Sequence, residues 1–327
     1  MTKKIMLFAL CSLLLASRFP ANAQQPTKVP RIGYLTASSL SANAARIEAF
    51  RQGLRELGYV EGKNIVIEYR HAEGKFDRLP ALAAELVRLK VDVIVTTGPS
   101  ATRAVKEASV TIPVVMSGDI DPVGSGFVAS LARPGGNITG LSSFSSELGG
   151  KRLELLKEVV PGLARVAVIG TSTVPGSAQA LRETELAART LKVKLQYIDV
   201  LDRKHIEAAF QEVSKGRADA VLMLTGRVLN FHRAQVVDLA VKSRLPAIYN
   251  TPEFVEDGGL VSYAANATDL YRRAATYVDK ILKGAKPANL PVEQPKKFEL
   301  IINLKAAKQI GLTIPPNVLA RADKVIK

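Results

Sequence analysis

Arg31-Ile-Gly-Tyr-Leu-Thr36 and Arg165-Val-Ala-Val-Ile-Gly170 share one pattern: an arginine followed by a short apolar run rich in β-favouring residues. Runs of this length bounded by polar segments read as buried strands. Outward from the first copy, Asn43 to Leu57 sets Ala45, Ile47, Phe50, Leu54 and Leu57 at helical spacing, and Gly58 supplies a C-cap. Asn64 to Tyr69 reads as a second strand, Leu79 to Leu89 as a helix and Val91 to Thr96 as a third strand. Pro99 to Glu107 reads as a helix and Ile112 to Met116 as a fourth strand. Strand and helix in alternation predict a parallel sheet with helical crossovers.

The pattern repeats in the second half. Ala218-Asp219-Ala-Val-Leu-Met223 matches Val91-Asp92-Val-Ile-Val, and Leu245-Pro246-Ala-Ile-Tyr249 matches Ile112-Pro113-Val-Val. Three matches in one order predict two similar doubly wound α/β lobes. The join is the turn-rich Pro134 to Gly140, followed by a strand and the Ser-rich Ser142 to Ser146. After the second repeat come a strand (Gly259 to Ala264), a helix (Leu270 to Leu282), a linker (Lys286 to Pro291), a last strand (Phe298 to Asn303) and a helix. These extra segments predict a multi-crossover hinge. The expected division is 24–142 plus 264–290 for lobe 1 and 143–263 plus 291–327 for lobe 2.

Residues 1–23 read as a secretory signal peptide: Lys3 and Lys4, the apolar Ile5 to Ala16, and the small-x-small Ala21-Asn22-Ala23. The apolar run is shorter than the roughly 20 residues of a spanning helix. A periplasmic protein beginning at Gln24 is expected. The only cysteine, Cys11, sits inside the apolar run after Leu10, where lipidation is not expected. Without it the chain has no thiol, which excludes disulfides, cysteine nucleophiles and cysteine metal sites. Of the net +15, Lys3, Lys4 and Arg18 fall in the leader. The remaining basic residues are scattered, without a basic run or interleaved aromatics, so nucleic acid is not an expected partner. An anionic solute or membrane surface, or simply basic surface helices, account for them.

In open α/β sheets, ligands bind beyond the carboxyl ends of the strands. The loops there supply Ser38, Ser39, Gly98, Ser100, Ala101, Thr102, Asp119 and Asp121 in lobe 1, and Ser172, Thr173, Thr225, Asn250 and Glu253 in lobe 2. Polar residues in loops also simply solvate a surface, and each candidate has that plainer role beside it. Gly98-Pro99-Ser100-Ala101-Thr102 opens a helix after a strand, so it is either a plain cap or an anion site for a ligand carboxylate. Asp121 either caps the next turn or receives a ligand ammonium, a role open to Glu253 too. Tyr263 either walls the cleft or packs in the sheet. No G-x-S-x-G elbow, Walker loop or complete dinucleotide fingerprint occurs, and His71, His205 and His232 lack metal-ligand spacing. No enzyme activity, cofactor or metal is expected.

Several segments together resemble a known family. They are Phe50-Arg-Gln-Gly-Leu-Arg-Glu-Leu-Gly-Tyr59 with Gly62-Lys-Asn-Ile65, Asp121-Pro-Val-Gly124, Arg133-Pro-Gly-Gly-Asn-Ile-Thr-Gly140, Leu290-Pro-Val-Glu-Gln-Pro295, Phe298-Glu-Leu-Ile-Ile-Asn303 and Gly311-Leu-Thr-Ile-Pro315. The chain resembles the periplasmic substrate-binding proteins of ABC transporters, in the group that includes aromatic-amino-acid-binding lipoproteins. The resemblance implies the type I periplasmic-binding fold, closure on a small molecule such as an amino acid or other carboxylate, delivery to an ABC permease in the inner membrane with a cytoplasmic ATPase, and no catalysis. A monomer is expected. A periplasmic ligand sensor that signals to a membrane receptor is the alternative function. A sugar-type repressor core shares the fold but needs an N-terminal helix-turn-helix, where this chain has its leader.

Overall fold

The computed structural model describes residues 29–327; the leader expected at 1–23, with Cys11, lies outside the described residues. The chain begins with β1 (Arg31–Thr36), α1 (Ala44–Glu56), β2 (Val66–His71), α2 (Leu79–Arg88), β3 (Val93–Thr97), α3 (Pro99–Ala108), β4 (Val114–Asp119) and β5 (Ile138–Ser142). These strands form one parallel five-stranded sheet in the order β2-β1-β3-β4-β5. The second lobe follows with α4 (Gly149–Val159), β6 (Arg165–Gly170), α5 (Ser177–Leu191), β7 (Lys194–Asp199), α6 (His205–Lys215), β8 (Ala220–Met223), α7 (Arg227–Phe231), α8 (Arg233–Lys242), β9 (Ala247–Tyr249), α9 (Glu253–Glu256) and β10 (Val261–Ala265). Then come α10 (Ala267–Leu282), β11 (Phe298–Asn303), α11 (Leu304–Ile310), α12 (Pro316–Leu319) and β12 (Lys324–Ile326). The second sheet has seven strands in the order β12-β11-β10-β9-β8-β6-β7.

Both sheets are covered on both faces, which explains the unbroken apolar runs. In β1, Ile32 and Tyr34 enter one core and Leu35 the other. In β6, Val166 and Val168 face one side, Ala167 and Ile169 the opposite one. The repeat extends to hydrogen bonds. Asp92 accepts from the Arg31 amide at 2.8 Å, and Asp219 accepts from the Arg165 amide at 2.8 Å. Each aspartate thereby sets the start of the strand beside its own.

One pair breaks the parallel rule: β10 and β11 are antiparallel. The path of the chain explains it. After Ala265 the chain leaves lobe 2, and α10 packs on lobe 1, where Leu270, Tyr271, Ala274 and Val278 share a core with Ile47, Phe50 and Leu54 of α1. The chain then runs along β5, with the Glu293 amide on the Gly140 carbonyl at 3.0 Å, and re-enters lobe 2 at Phe298, beside Ala265. Leaving and returning at the same sheet edge forces β11 to run backwards. The lobes are thus joined after β5, after β10 and before β11. This is the two-lobed, triply connected arrangement of the type I periplasmic-binding fold. No described helix is long and apolar enough to cross a membrane.

Candidate functional site

The lobes touch across their facing edges. Arg46 of α1 is ion-paired with Glu253 of α9. The Arg227 guanidinium of lobe 2 lies 4.8 Å from the ring centre of Phe76 in lobe 1. Gly176 is packed so closely on lobe 1 that a Cβ there would sit 3.3 Å from Asp121 Cβ and Ile120 Cγ2. Between these contacts lies a cavity of about 260 Å³, adjoining a second of about 280 Å³, and the two share Pro99, Ile120, Thr225 and Asn230. Each size lies just under the roughly 300 Å³ at which small-molecule sites usually begin. A larger hollow of about 390 Å³ lies on the outside of lobe 1 beside α1 and is lined from that lobe alone.

Arg152 organises the lobe 2 wall. It stands on α4, is 1% exposed, and lines the cavity. Its Nε donates to the Tyr263 carbonyl at 2.8 Å. One terminal nitrogen donates to the Ser145 carbonyl at 3.2 Å, and the other to Ser145 Oγ at 3.3 Å and the Asn250 carbonyl at 3.4 Å. Ser145 Oγ and Thr225 Oγ1 are 3.2 Å apart, and Asn250 Nδ2 donates to Thr225 at 3.3 Å. One buried cation therefore ties the first crossover to the middle of β10 and the carboxyl end of β9, and Ser145 and Asn250 extend the link to Thr225 beyond β8. Burial pushes its guanidinium down to about 10, so it remains charged at neutral pH.

The structure brings together Ser38, Gly98, Thr225 and Asn250 in the first compartment, and Ser100, Thr173 and Thr225 in the second. Asp119 lies behind them, fully buried, accepting from the Gly98 amide at 3.1 Å. Other candidates stand elsewhere. Ala101 and Thr102 are buried within lobe 1, and the Thr102 hydroxyl is 2.7 Å from that of Thr96. The Ala101 and Thr102 amides donate to the Gly98 carbonyl at 3.1 and 3.2 Å, and Pro99 has no N–H. Most groups expected to cradle an anion at that helix start are thus already engaged. Ser39 is 3.0 Å from Ser41 on the exposed rim. Asp121 accepts from the Gly124 amide at 2.8 Å, the capping role. The Ser172 amide and hydroxyl donate to Asp199 at 2.8 and 2.6 Å. The Tyr263 ring stacks on Phe298 at 5.9 Å. Glu253 does not line either compartment itself but holds Arg46, which does.

Sequence reasoning missed Arg46, Arg152, Ser143, Ser145, Asn230 and Tyr271, all of which line the first compartment. The serines lie in a Ser-rich join that was visible. The arginines sit on helices, where a basic residue reads as a solvated face. Among the described residues, neither compartment is lined by an aspartate or glutamate, and no group of acidic, histidine or cysteine side chains is placed to hold a metal.

Comparison with known proteins agrees with this architecture. A tyrosine-binding protein of Clostridioides difficile is 24% identical over 265 residues, covering 81% of this chain and 76% of that protein. A conserved domain protein from Vibrio cholerae superposes with a TM-score of 0.83 at 28% identity, over 91% of this chain and 100% of its own. An ABC domain from Streptococcus pneumoniae, solved in complex with L-Trp, gives a TM-score of 0.83 at 27% identity, over 91% of this chain and 99% of its own. The profile of the ABC transporter substrate binding protein family matches residues 36–326, nearly the whole described chain, and the chain belongs to that family.

Proposed function

We propose that this chain is an exported binding protein that closes its lobes on a free amino acid with an aromatic side chain and presents it to an ABC permease in the inner membrane, without transforming it. The observation that carries this reading is the cavity of about 260 Å³ between the lobes. It joins Arg152 and the polar ends of lobe 2 to an apolar wall that includes Leu270 and Tyr271 of α10. The small volume suits one amino acid better than a peptide. The L-Trp complex and the tyrosine-binding relative support the aromatic class. The test is mass spectrometry of whatever co-purifies from native extract, followed by calorimetry with L-tryptophan, L-tyrosine, L-phenylalanine and non-aromatic amino acids. Binding confined to sugars or polyols would sink the amino-acid reading. Export is tested by N-terminal sequencing of native protein, which should begin at Gln24.

A further inference from the structure

Arg152 is a buried cation without a counter-ion. Every hydrogen bond it makes goes to a neutral oxygen, and among the described residues it has no acidic partner. The other cleft cations are engaged differently: Arg46 by Glu253, and Arg227 against the Phe76 ring. A buried charge is costly unless it is paired, and Arg152 lines the cavity. Beside it lie acceptors with nothing to accept. Asn250, 3% exposed, has an unpartnered Oδ1, as does Asn230, and both residues line the same compartment. The Asn250 carbonyl is itself a partner of Arg152, so donor and orphan acceptors form one patch at the lobe 2 wall.

We infer that Arg152, Asn230 and Asn250 form the receptor for the charged end of the ligand: its carboxylate is the missing counter-ion of Arg152, and its ammonium fills the vacant acceptors of the two asparagines. This rests on the amino-acid reading and moves the carboxylate from the start of α3 in lobe 1 to α4 in lobe 2. It also gives a reason for closure. The head group binds lobe 2, and lobe 1 adds contacts to the rest of the ligand only when the cleft shuts, so ligand binding favours the closed state by its differential affinity. The specificity that follows is for a free α-carboxylate: esters, amides and decarboxylated amines are rejected because they leave the buried charge unpaired.

The experiment uses the full mature protein and calorimetry with L-tryptophan, L-tryptophanamide, tryptamine and indole-3-propionate. The amide and the amine should bind at least 100-fold more weakly than the acid. Asn230→Leu and Asn250→Leu should weaken L-tryptophan about tenfold or more and leave indole-3-propionate within about threefold. Because Arg152 also ties backbone segments together, its own variant is secondary: Arg152→Lys, checked for folding by circular dichroism, should keep the preference for acid over amide, whereas Arg152→Met should lose it. If the amide binds the wild type within threefold of the acid, the assignment is wrong while the amino-acid reading stands. If neither L-tryptophan nor any other amino acid binds, the amino-acid reading fails; an uncharged co-purified ligand would then overturn the Arg152 assignment too, and an anionic one whose affinity collapses in Arg152→Met would uphold it.

Discussion

Arg46 and Glu253 lie 207 positions apart in the chain and form an ion pair that bridges the two lobes. Each side chain keeps roughly a quarter of its surface exposed, so the pair is neither a fully screened surface contact nor a deeply buried one. Such a pair is worth about 1 kcal/mol, roughly fivefold in affinity, and on the proposed closure it forms as the cleft shuts. Glu253→Gln should therefore raise the dissociation constant of the proposed amino-acid ligand about three- to tenfold by calorimetry, with little change in the melting temperature of the free protein. Unchanged affinity in both Glu253→Gln and Arg46→Gln would show that the pair does not latch the lobes.

The same latch has a pH signature. Burial pushes the Glu253 carboxyl up, but Arg46 and a hydrogen bond from Thr251 more than offset this, and its pKa lies below the ordinary value. In the open state the carboxyl returns toward the ordinary value of about 4.3. The latch is complete above that value and is lost as pH falls through the depressed closed-state value. The ratio of wild-type to Glu253→Gln affinity should be flat from pH 8 to 5 and shrink toward one in more acid buffer. A ratio that shrinks already between pH 8 and 6 would contradict this.

Phe76 and Arg227 form the second contact across the lobes. A ring–guanidinium contact contributes about 0.5–1 kcal/mol when partly exposed. Phe76→Ala should cost two- to fivefold in affinity, and adding Glu253→Gln should bias the free protein toward the open form. Small-angle scattering should then show a larger radius of gyration for the ligand-free double variant than for the ligand-saturated wild type. Equal radii would argue against a clamshell.

The strands were legible because burial on both sheet faces leaves an uninterrupted apolar signal. Arg31–Thr36, Arg165–Gly170 and Phe298–Asn303 match their expected limits. Other strands start later because the residues before them have other work. Asn64 accepts from the Val60 amide at 2.6 Å and donates to Gly58, so β2 begins at Val66. β7 and β12 were not foreseen: Lys194–Asp199 is mixed in polarity at a sheet edge, and Lys324–Ile326 is too short to register. The site was half legible. The carboxyl-edge rule led to Gly98, Thr225 and Asn250, which follow the ends of β3, β8 and β9 and line the first compartment. It passed over Arg152 and Arg46, because nothing in a local sequence tells a buried guanidinium from a solvated one.

Gly53 stands inside the motif that carried the family resemblance, and its reason is steric. A Cβ there would run into the Arg272 carbonyl and lie 2.9 Å from Ala275 Cβ, where α10 crosses α1. Gly53→Ala should cost about 1–3 kcal/mol through overpacking, lowering the melting temperature by about 2–10 °C. Gly136→Ala is the control: nothing lies within 4 Å of its Cβ position, and its melting temperature should be unchanged or slightly raised. Equal effects at both sites would show that α1 and α10 can move apart freely.

Asp119 supplies a prediction at the floor of the cleft. It is fully buried; one carboxyl oxygen accepts from the Gly98 amide at 3.1 Å, and the other has no partner. Burial pushes its pKa up to about 7, although Thr102 and the Gly98 amide pull the opposite way. In the unfolded chain the value is about 3.9. Between those values the folded state binds the extra proton. The stabilisation from protonated Asp119 is therefore full below about pH 4 and lost as pH rises through 7. Above pH 7 the buried charge disfavours folding by at most about 4 kcal/mol, three units at 1.36 kcal/mol each. Asp119→Asn keeps the acceptor for Gly98 and cannot ionise. The stability of the variant relative to wild type should rise between pH 5 and pH 8 in urea unfolding. A difference independent of pH across that range would mean that Asp119 is ionised throughout in the folded protein as it is in the unfolded chain, and would sink this account of the loop that carries Gly98 to the cleft.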